Sequence, residues 1–270
     1  MPSLNELVAG LEAIAPLQFA AEWDNVGLLI EPAPRPEGVP DVERVLLTID
    51  LTEAVLDEAR EKRATLVVAY HPPIFAGLKR LTASSLEGRI ALRTVDARVA
   101  VYSPHTALDA VVGGVNDWLA DALGAGDRRP IEPTPGAPDG TGMGRRIELA
   151  RPMGLDDAVV AIKRHLALDQ VRVARAARHL AGKPLRNAAV CAGAGGAILS
   201  GLRDTDLILT GEMRHHDVNQ LVARGSSVVL CDHTNTERGY LQRFAERMQA
   251  RWPGLDVLCS ACDRDPLTIT

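Results

Sequence analysis

Residues 67–73, VVAYHPP, are the segment that most constrains how this chain folds. Its apolar residues predict a buried strand. Two prolines then end the strand, because proline donates no hydrogen bond to a sheet and keeps the preceding residue extended. His71 is therefore expected at the carboxyl end of a strand, where the binding sites of open α/β sheets collect. His71 is thus a candidate ligand, and other side chains should arrive at the same edge.

Strands and helices alternate around this segment. Residues 44–50 predict a buried strand, Thr52 caps a helix that runs to about Lys62, and residues 65–70 form the next strand. This order is that of a β-α-β unit. The elements that complete the first α/β block are a helix near 86–97, a strand at 99–103 and a helix at about 114–123.

Proline and glycine are concentrated in residues 124–144, which predicts a linker between two domains. We expect an α/β fold with two domains, each a sheet layered with helices, and with a metal site at the carboxyl ends of strands. The first domain is predicted to comprise residues 1–125 plus 231–270, and the second residues 126–230. The elements predicted after the linker are strands at 145–150, 171–175, 187–192, 206–210, 227–231 and 255–260, and helices at 155–167, from about 196, and at about 236–249.

Composition argues against two classes of partner. Aromatic residues make up 3% of the chain, and the net charge is −5 with no basic block, so a nucleic-acid surface is not expected. No run of eighteen apolar residues occurs, and the first residues lack the pattern of a signal peptide, so we expect a cytoplasmic protein without a membrane span. Two of the four cysteines form a closely spaced C-x-x-C pair. A structural zinc site would need a second such pair, and its absence from the sequence favours free thiols.

Four side chains of metal-ligand type follow strands or begin helices. Asp109 comes after the strand at 99–103, and His233 comes after the strand at 227–231, with Glu237 four residues later. Taken singly, each has a structural explanation: His71 can cap a loop, Asp109 can start a helix, and Glu237 can favour the positive end of a helix dipole. If the strands are neighbours, the four together predict a metal site.

A second polar cluster, residues 211–217 (GEMRHHD), follows the strand at 206–210. We interpret Glu212, His215 and His216 as substrate contacts rather than metal ligands, although paired histidines can also bind metal or phosphate or be solvated. The glycines at 193–196 lack the third glycine of a dinucleotide fingerprint. They favour a tight turn between a strand and a helix.

These segments together resemble the Nif-three-like family, also labelled GTP cyclohydrolase 1 type 2 homologues. The resemblance covers nearly the whole chain, in the right order. The segments that carry it are WDNVGLLIE (23–31), YHPPIF (70–75), LKRLT (78–82), YSPHTALDA (102–110), GVNDWLADALG (114–124), TGEMRHHD (210–217) and HTNTERG (233–239).

The resemblance implies a toroidal homo-hexamer of two-domain chains, each with a dinuclear metal centre, and this chain looks like the short form without an inserted domain. By motif, the ligands are His71, Asp109, His233 and Glu237, and Glu237 bridges the two metals. Many bacterial members have two adjacent histidines at the positions of Tyr70 and His71. Eukaryotic-type members are similar to this chain in having tyrosine at the first of these positions. We therefore expect one firm metal site and one weaker site, with Tyr70 as a weak ligand, and Zn, Fe or Mn as the divalent ion.

For function, the resemblance implies a metal-dependent hydrolase acting on a nucleotide such as GTP or a related small molecule. The chemistry would be hydrolysis by water that a divalent ion activates. Glu212, His215 and His216 would bind substrate or transfer protons. The alternative is a non-enzymatic hexameric metal-binding or interaction scaffold, which the sequence leaves open.

Overall fold

The computed structural model describes residues 1–33 and 41–268 of the chain. Helices and strands alternate along much of this part of the chain, apart from the run of strands within residues 126–153. The strands are β1 (Gly27–Ile30), β2 (Arg44–Thr48), β3 (Leu66–Ala69), β4 (Ala100–Ser103), β5 (Gly126–Arg129), β6 (Glu132–Pro133), β7 (Gly142–Met143), β8 (Arg145–Met153), β9 (Arg172–Ala174), β10 (Leu185–Cys191), β11 (Leu207–Thr210), β12 (Ser227–Leu230) and β13 (Asp256–Cys259). The helices are α1 (Leu4–Ile14), α2 (Glu53–Glu61), α3 (Leu86–Asp96), α4 (His105–Ala110), α5 (Val115–Asp121), α6 (Leu155–Leu166), α7 (Ala177–Leu180), α8 (Gly196–Leu199), α9 (His215–Ala223) and α10 (Tyr240–Arg251).

The chain divides into two units. Met1–Leu108 and Leu241–Thr270 form the first unit, and Asp109–Tyr240 form the second. Each unit contains a mixed sheet with helices, which confirms the predicted fold class. Among the described residues, no helix is both long enough and apolar enough to cross a membrane.

The described strands of the first unit form a sheet in the order β1-β4-β3-β2-β13. Strands β2, β3, β4 and β13 run parallel, and β1 joins the edge antiparallel to β4. Val67 of the central strand β3 pairs with Leu46 of β2 and with Val101 of β4, and all three side chains are buried. A fully apolar strand suits this position, since a parallel strand is covered on both faces. The carboxyl ends of β2, β3 and β4 therefore lie at one edge.

Six described strands of the second unit form a sheet in the order β5-β8-β10-β11-β12-β9, and β6 pairs with β7 in a separate sheet of two strands. Strands β10, β11 and β12 run parallel, while β8 and β9 flank them antiparallel. All of β11 is buried, as expected for a central strand. The loops after β11 and β12 carry Glu212 and His233 respectively, so these two residues leave the sheet at the same edge.

Two segments lie elsewhere than the predicted domains place them. Residues 109–125 and 231–240, which we expected in the first domain, are in the second unit. The physical reason for the former is α5, which buries Trp118 and Leu119 and packs on β8 and β10. The predicted linker also lies within the second unit, where β5 forms an edge strand paired with β8. Proline and glycine disfavour a central strand but allow an edge strand.

Glu58, on α2, anchors the segment that follows β13. Its carboxylate accepts hydrogen bonds from the Ser260 hydroxyl and from the backbone N–H groups of Ala261, at 3.0 Å, and Cys262, at 3.2 Å. Burial alone would raise the pKa of Glu58, but these hydrogen bonds lower it below its ordinary value. The ionised form of Glu58 therefore stabilises the folded chain.

We expect Glu58→Gln to lower the melting temperature at pH 7. At pH 3 we expect a much smaller decrease. A carboxyl group with a lowered pKa in the folded state adds stability above its unfolded-state pKa, and this contribution is lost as the pH falls through the folded-state value. The lost hydrogen bonds to a charge should cost about 1.5 kcal/mol at neutral pH. Thermal unfolding of both proteins across this pH range measures the effect, with Glu61→Gln, exposed at the end of the same helix, as the control. An unchanged difference between pH 7 and pH 3 would contradict the prediction.

Candidate metal centre

His71 stands at the carboxyl end of β3, as predicted. The sheet pairing continues past the strand, because the backbone N–H groups of Tyr70 and His71 donate to the carbonyls of Thr48, at 2.9 Å, and Ile49, at 3.0 Å. Beyond this point, Nδ1 of His71 lies 2.9 Å from Oδ1 of Asp50. This contact was not predicted, and its only signal in the sequence is that Asp50 ends the predicted strand 44–50. Asp50 fixes the direction of the His71 ring.

A second imidazole, His105, lies beside His71 within the first unit. Its ring centroid is 5.4 Å from that of His71 and 5.5 Å from that of Tyr70. Nδ1 of His105 lies 2.7 Å from Oδ1 of Asp24, whose side chain is fully buried. Burial would raise the pKa of Asp24, but hydrogen bonds from His105 and from the hydroxyl and N–H of Thr106 lower it. The hydrogen bonds of the Asp24 carboxylate to His105 and Thr106 therefore hold the start of α4 next to His71.

In the second unit, His233 contacts two carboxylates. Nδ1 of His233 lies 2.6 Å from Oε1 of Glu212, and Nε2 lies 3.4 Å from Oε1 of Glu237, which is 3% exposed. We expected the helix to begin between His233 and Glu237, but α10 begins only at Tyr240. A 3-10 turn at Thr234–Thr236 brings the two side chains together instead.

The backbone on both sides of this pair is tightly held. Asp232 has a φ of +63°, which is uncommon for a residue with a side chain. Gly193, in the turn after β10, has a φ of +61°, and its N–H donates to the hydroxyl of Thr236 at 2.8 Å. A Cβ at Gly193 would lie 2.6 Å from Oε1 of Glu237 and 2.9 Å from Nε2 of His233. Glycine is therefore required here, which agrees with the interpretation of residues 193–196 as a tight turn.

Asp109 lies on α4 and is 8% exposed. Its carbonyl accepts a hydrogen bond from the side-chain amide of Asn116 at 3.2 Å, and the side-chain oxygen of Asn116 accepts one from the N–H of Ala192 at 2.9 Å. Burial, together with the carboxylates of Asp109 and Glu237, raises the pKa of the Cys191 thiol. Both carboxylates therefore act on the same buried thiol. All four cysteines of the chain are free, as expected.

The residues predicted to contact substrate differ in their surroundings. Glu212 contacts His233, so it orients that ring. His215 and His216 are exposed on α9, their ring centroids are 5.8 Å apart, and Nε2 of His215 lies 3.0 Å from the side-chain nitrogen of Asn219. His215 also lines a cavity of about 240 Å³. A role for His215 and His216 in binding substrate stays a prediction.

His71 and His233 share one arrangement. In each, Nδ1 is held by a carboxylate that follows a neighbouring strand, and Nε2 is the nitrogen on the opposite side of the ring. Histidines that bind metals almost always place their second ring nitrogen against a carboxylate, a carbonyl or water, which fixes the ring and increases its basicity. The donor chemistry of both units therefore fits a divalent metal ion.

This chain is similar to known proteins both in sequence and in fold. The profile of the Duf34/NIF3 (NGG1p interacting factor 3) family matches residues 2–266. NIF3-like protein 1 of Drosophila melanogaster is 42% identical over 265 residues, which cover 98% of this chain and 88% of that protein. Protein NIF3 homolog of Schizosaccharomyces pombe is 40% identical, over 96% of this chain and 95% of that protein. The crystal structure of Staphylococcus aureus hypothetical protein SA1388 has a similar fold, with a TM-score of 0.83, 23% identity and coverage of 100% of both chains.

Proposed function

Because this chain belongs to the Duf34/NIF3 family, we propose that it binds divalent metal through His71, Asp109, His233 and Glu237 and acts as a metal-dependent hydrolase. The proposed ligand set contains two imidazoles, those of His71 and His233, and the carboxylate of Glu237. Asp109 is the fourth ligand. Membership of the family supports the motif-by-motif assignment of these residues.

The observation that carries the proposal is the carboxylate on Nδ1 of each histidine. Asp50 orients His71 in the first unit, and Glu212 orients His233 in the second. A histidine that binds a metal is both oriented and made more basic by such a partner. Imidazole and carboxylate ligands suit Zn, Fe and Mn, with no thiolate in the set to favour one of them.

Bound at this set, a divalent ion would activate water for hydrolysis. Glu212 would keep the His233 ring in place, and His215 and His216 would bind the substrate or transfer a proton. The substrate class we propose is a nucleotide or a related small molecule. We place the protein in the cytoplasm as a homo-hexamer, the assembly that the family resemblance implies, and light scattering of the purified protein measures that mass.

We expect His71→Ala and Glu237→Ala each to lose bound metal. The test is elemental analysis of protein purified without chelators or nickel resin, followed by a panel of nucleotides and phosphoesters with added Mn, Fe, Zn or Mg. The intact protein should retain at least one ion per chain and turn over a member of the panel, while both variants lose ion and turnover. Glu61→Ala, an exposed glutamate on α2, serves as the control.

Three outcomes would contradict this proposal. Metal retained at the wild-type level by both variants would remove the ligand assignment. Stoichiometric metal without turnover on any substrate would favour the non-enzymatic scaffold. Turnover that survives both substitutions would identify a contaminating enzyme.

Tyr70 makes the two metal sites unequal. We expect about one tightly held ion per chain, with the second site weaker because tyrosine stands in place of a histidine. Tyr70→His should raise the stoichiometry towards two ions, and titration calorimetry of the metal-depleted proteins measures this. Tyr70→Phe is the matched control and should leave the stoichiometry of the firm site unchanged. Two equally tight ions in the unmodified protein would contradict the asymmetry.

A further inference from the structure

A cavity of about 600 Å³ lies in the second unit at the carboxyl ends of β10 and β11. These strands are parallel neighbours, so the loops that follow them enclose one crevice. One wall is α8, with Gly196 at its start and Ser200 directly after it, and the other is the loop into α9 and its first turn, with Glu212, Arg214 and Asp217. Since Glu212 also hydrogen-bonds His233, the cavity reaches the proposed metal ligands.

Three polar groups in the wall of this cavity have no protein partner. Within residues 1–33 and 41–268, the guanidinium of Arg214, the carboxylate of Asp217 and the hydroxyl of Ser200 take part in no side-chain hydrogen bond or ion pair. Such groups are satisfied either by water or by a ligand. A cavity with one guanidinium and two carboxylates, those of Glu212 and Asp217, repels a bare small anion. Its ligand must therefore carry hydrogen-bond donors as well as an anionic group.

We infer that this cavity binds a nucleoside monophosphate whose base carries an exocyclic amino group. Arg214 binds the phosphate, because a planar guanidinium matches phosphate oxygens in a bidentate way. Asp217 accepts hydrogen bonds from the amino edge of the base, and Ser200 adds a donor for the sugar or phosphate. The volume lies in the range of about 300 to 1,000 Å³ that is usual for small-molecule sites. The inference rests on the proposed function, since it gives that hydrolase a substrate class.

Gly196 offers a way to fill the cavity without disturbing the fold. A Cβ at Gly196 would lie 3.7 Å from Cγ of Met213 and 3.8 Å from Oδ2 of Asp217, which are ordinary contacts. A leucine there would extend into the cavity. Gly201 is the matched control, because a Cβ at this position meets nothing within 4 Å. Neither glycine has a positive φ, so leucine strains the backbone at neither position.

The test is titration calorimetry of the full-length protein with GMP, AMP and CMP. Two further probes are UMP, which lacks the amino group, and guanosine, which lacks the phosphate. We expect the three amino-bearing monophosphates to bind at least tenfold more tightly than UMP or guanosine. Gly196→Leu and Arg214→Gln should each weaken their binding at least tenfold, whereas Gly201→Leu should not. Asp217→Asn should remove the preference over UMP.

Binding unaffected by Gly196→Leu, or no binding by any of the five probes, would overturn the inference. The readout is independent of hydrolysis, so the two proposals can fail separately. Metal-dependent turnover with unchanged KM in Gly196→Leu would reject the cavity alone. The expected binding pattern without turnover under any metal would reject the hydrolase alone.

Discussion

Gly193→Ala is expected to destabilise the protein by about 3 kcal/mol and to remove the metal that we propose it binds. Alanine at a φ of +61° costs about 1 to 2 kcal/mol by itself. The added Cβ would also lie 2.6 Å from Oε1 of Glu237 and 2.9 Å from Nε2 of His233, closer than real Cβ contacts allow. Because this turn is fixed by hydrogen bonds, the two side chains must move, and overpacking of this kind costs a further 1 to 3 kcal/mol, roughly.

Gly182→Ala separates the two contributions. Gly182 also has a positive φ, of +84°, but a Cβ there meets nothing within 4 Å. This control should therefore show the backbone cost alone and keep the metal. Urea denaturation and elemental analysis of both variants measure the difference. If Gly193→Ala matched Gly182→Ala in stability and in metal content, the close approach to Glu237 and His233 would have no consequence for the site.

Arg145→Met is expected to cost about 3 to 5 kcal/mol of stability. Arg145, on β8, is 1% exposed, and its guanidinium pairs with Asp117 at 2.8 Å. It also donates to the carbonyls of Val111 at 2.9 Å, Gly142 at 2.7 Å and Gly144 at 2.8 Å. Removing one partner of a buried pair leaves the other charge uncompensated, which is the strongly destabilising case. Since Val111 lies two residues after Asp109, the placement of Asp109 should suffer as well.

Arg146→Met is the matched control for this effect. Arg146 is the next residue on the same strand, but its guanidinium donates to exposed carbonyls of Arg203 and Asp204. We expect Arg146→Met to lower the free energy of unfolding by less than about 1 kcal/mol. Free energies of unfolding from urea titrations measure both variants. Equal costs would show that the buried network around Arg145 contributes no more than two surface hydrogen bonds.

The sequence predicted the features that depend on neighbouring residues. An apolar run closed by two prolines placed His71 at the end of β3, and the motifs identified the family correctly. Capping by Thr52 predicted α2, where the Thr52 hydroxyl accepts a hydrogen bond from the N–H of Val55. These features are local, since strand, turn and cap are each specified within a few residues.

The partners of the histidines were not predictable in the same way. His105 and Asp24 are 81 residues apart, and the positions of Asp50 and Glu212 against their rings depend on which strands are neighbours. A sequence pattern states which side chains follow strands, but strand order decides which of them meet. The His233 and Glu237 side chains meet through a 3-10 turn. This turn was not predicted, because a four-residue spacing alone does not distinguish it from a helix.

The backbone conformation of Asp232 lowers the stability of the fold but defines the direction of the imidazole that follows it. Its φ of +63° is a conformation that glycine or asparagine adopts at lower cost, so the chain forgoes roughly 1 kcal/mol at this position. Its side chain also pairs with Arg172 at 2.9 Å, which glycine would not replace. A sequence optimised for thermal stability alone would change residue 232, and the direction of the following imidazole would then be less sharply defined. Selection for heat resistance and selection for a working site are therefore expected to act in opposite directions here.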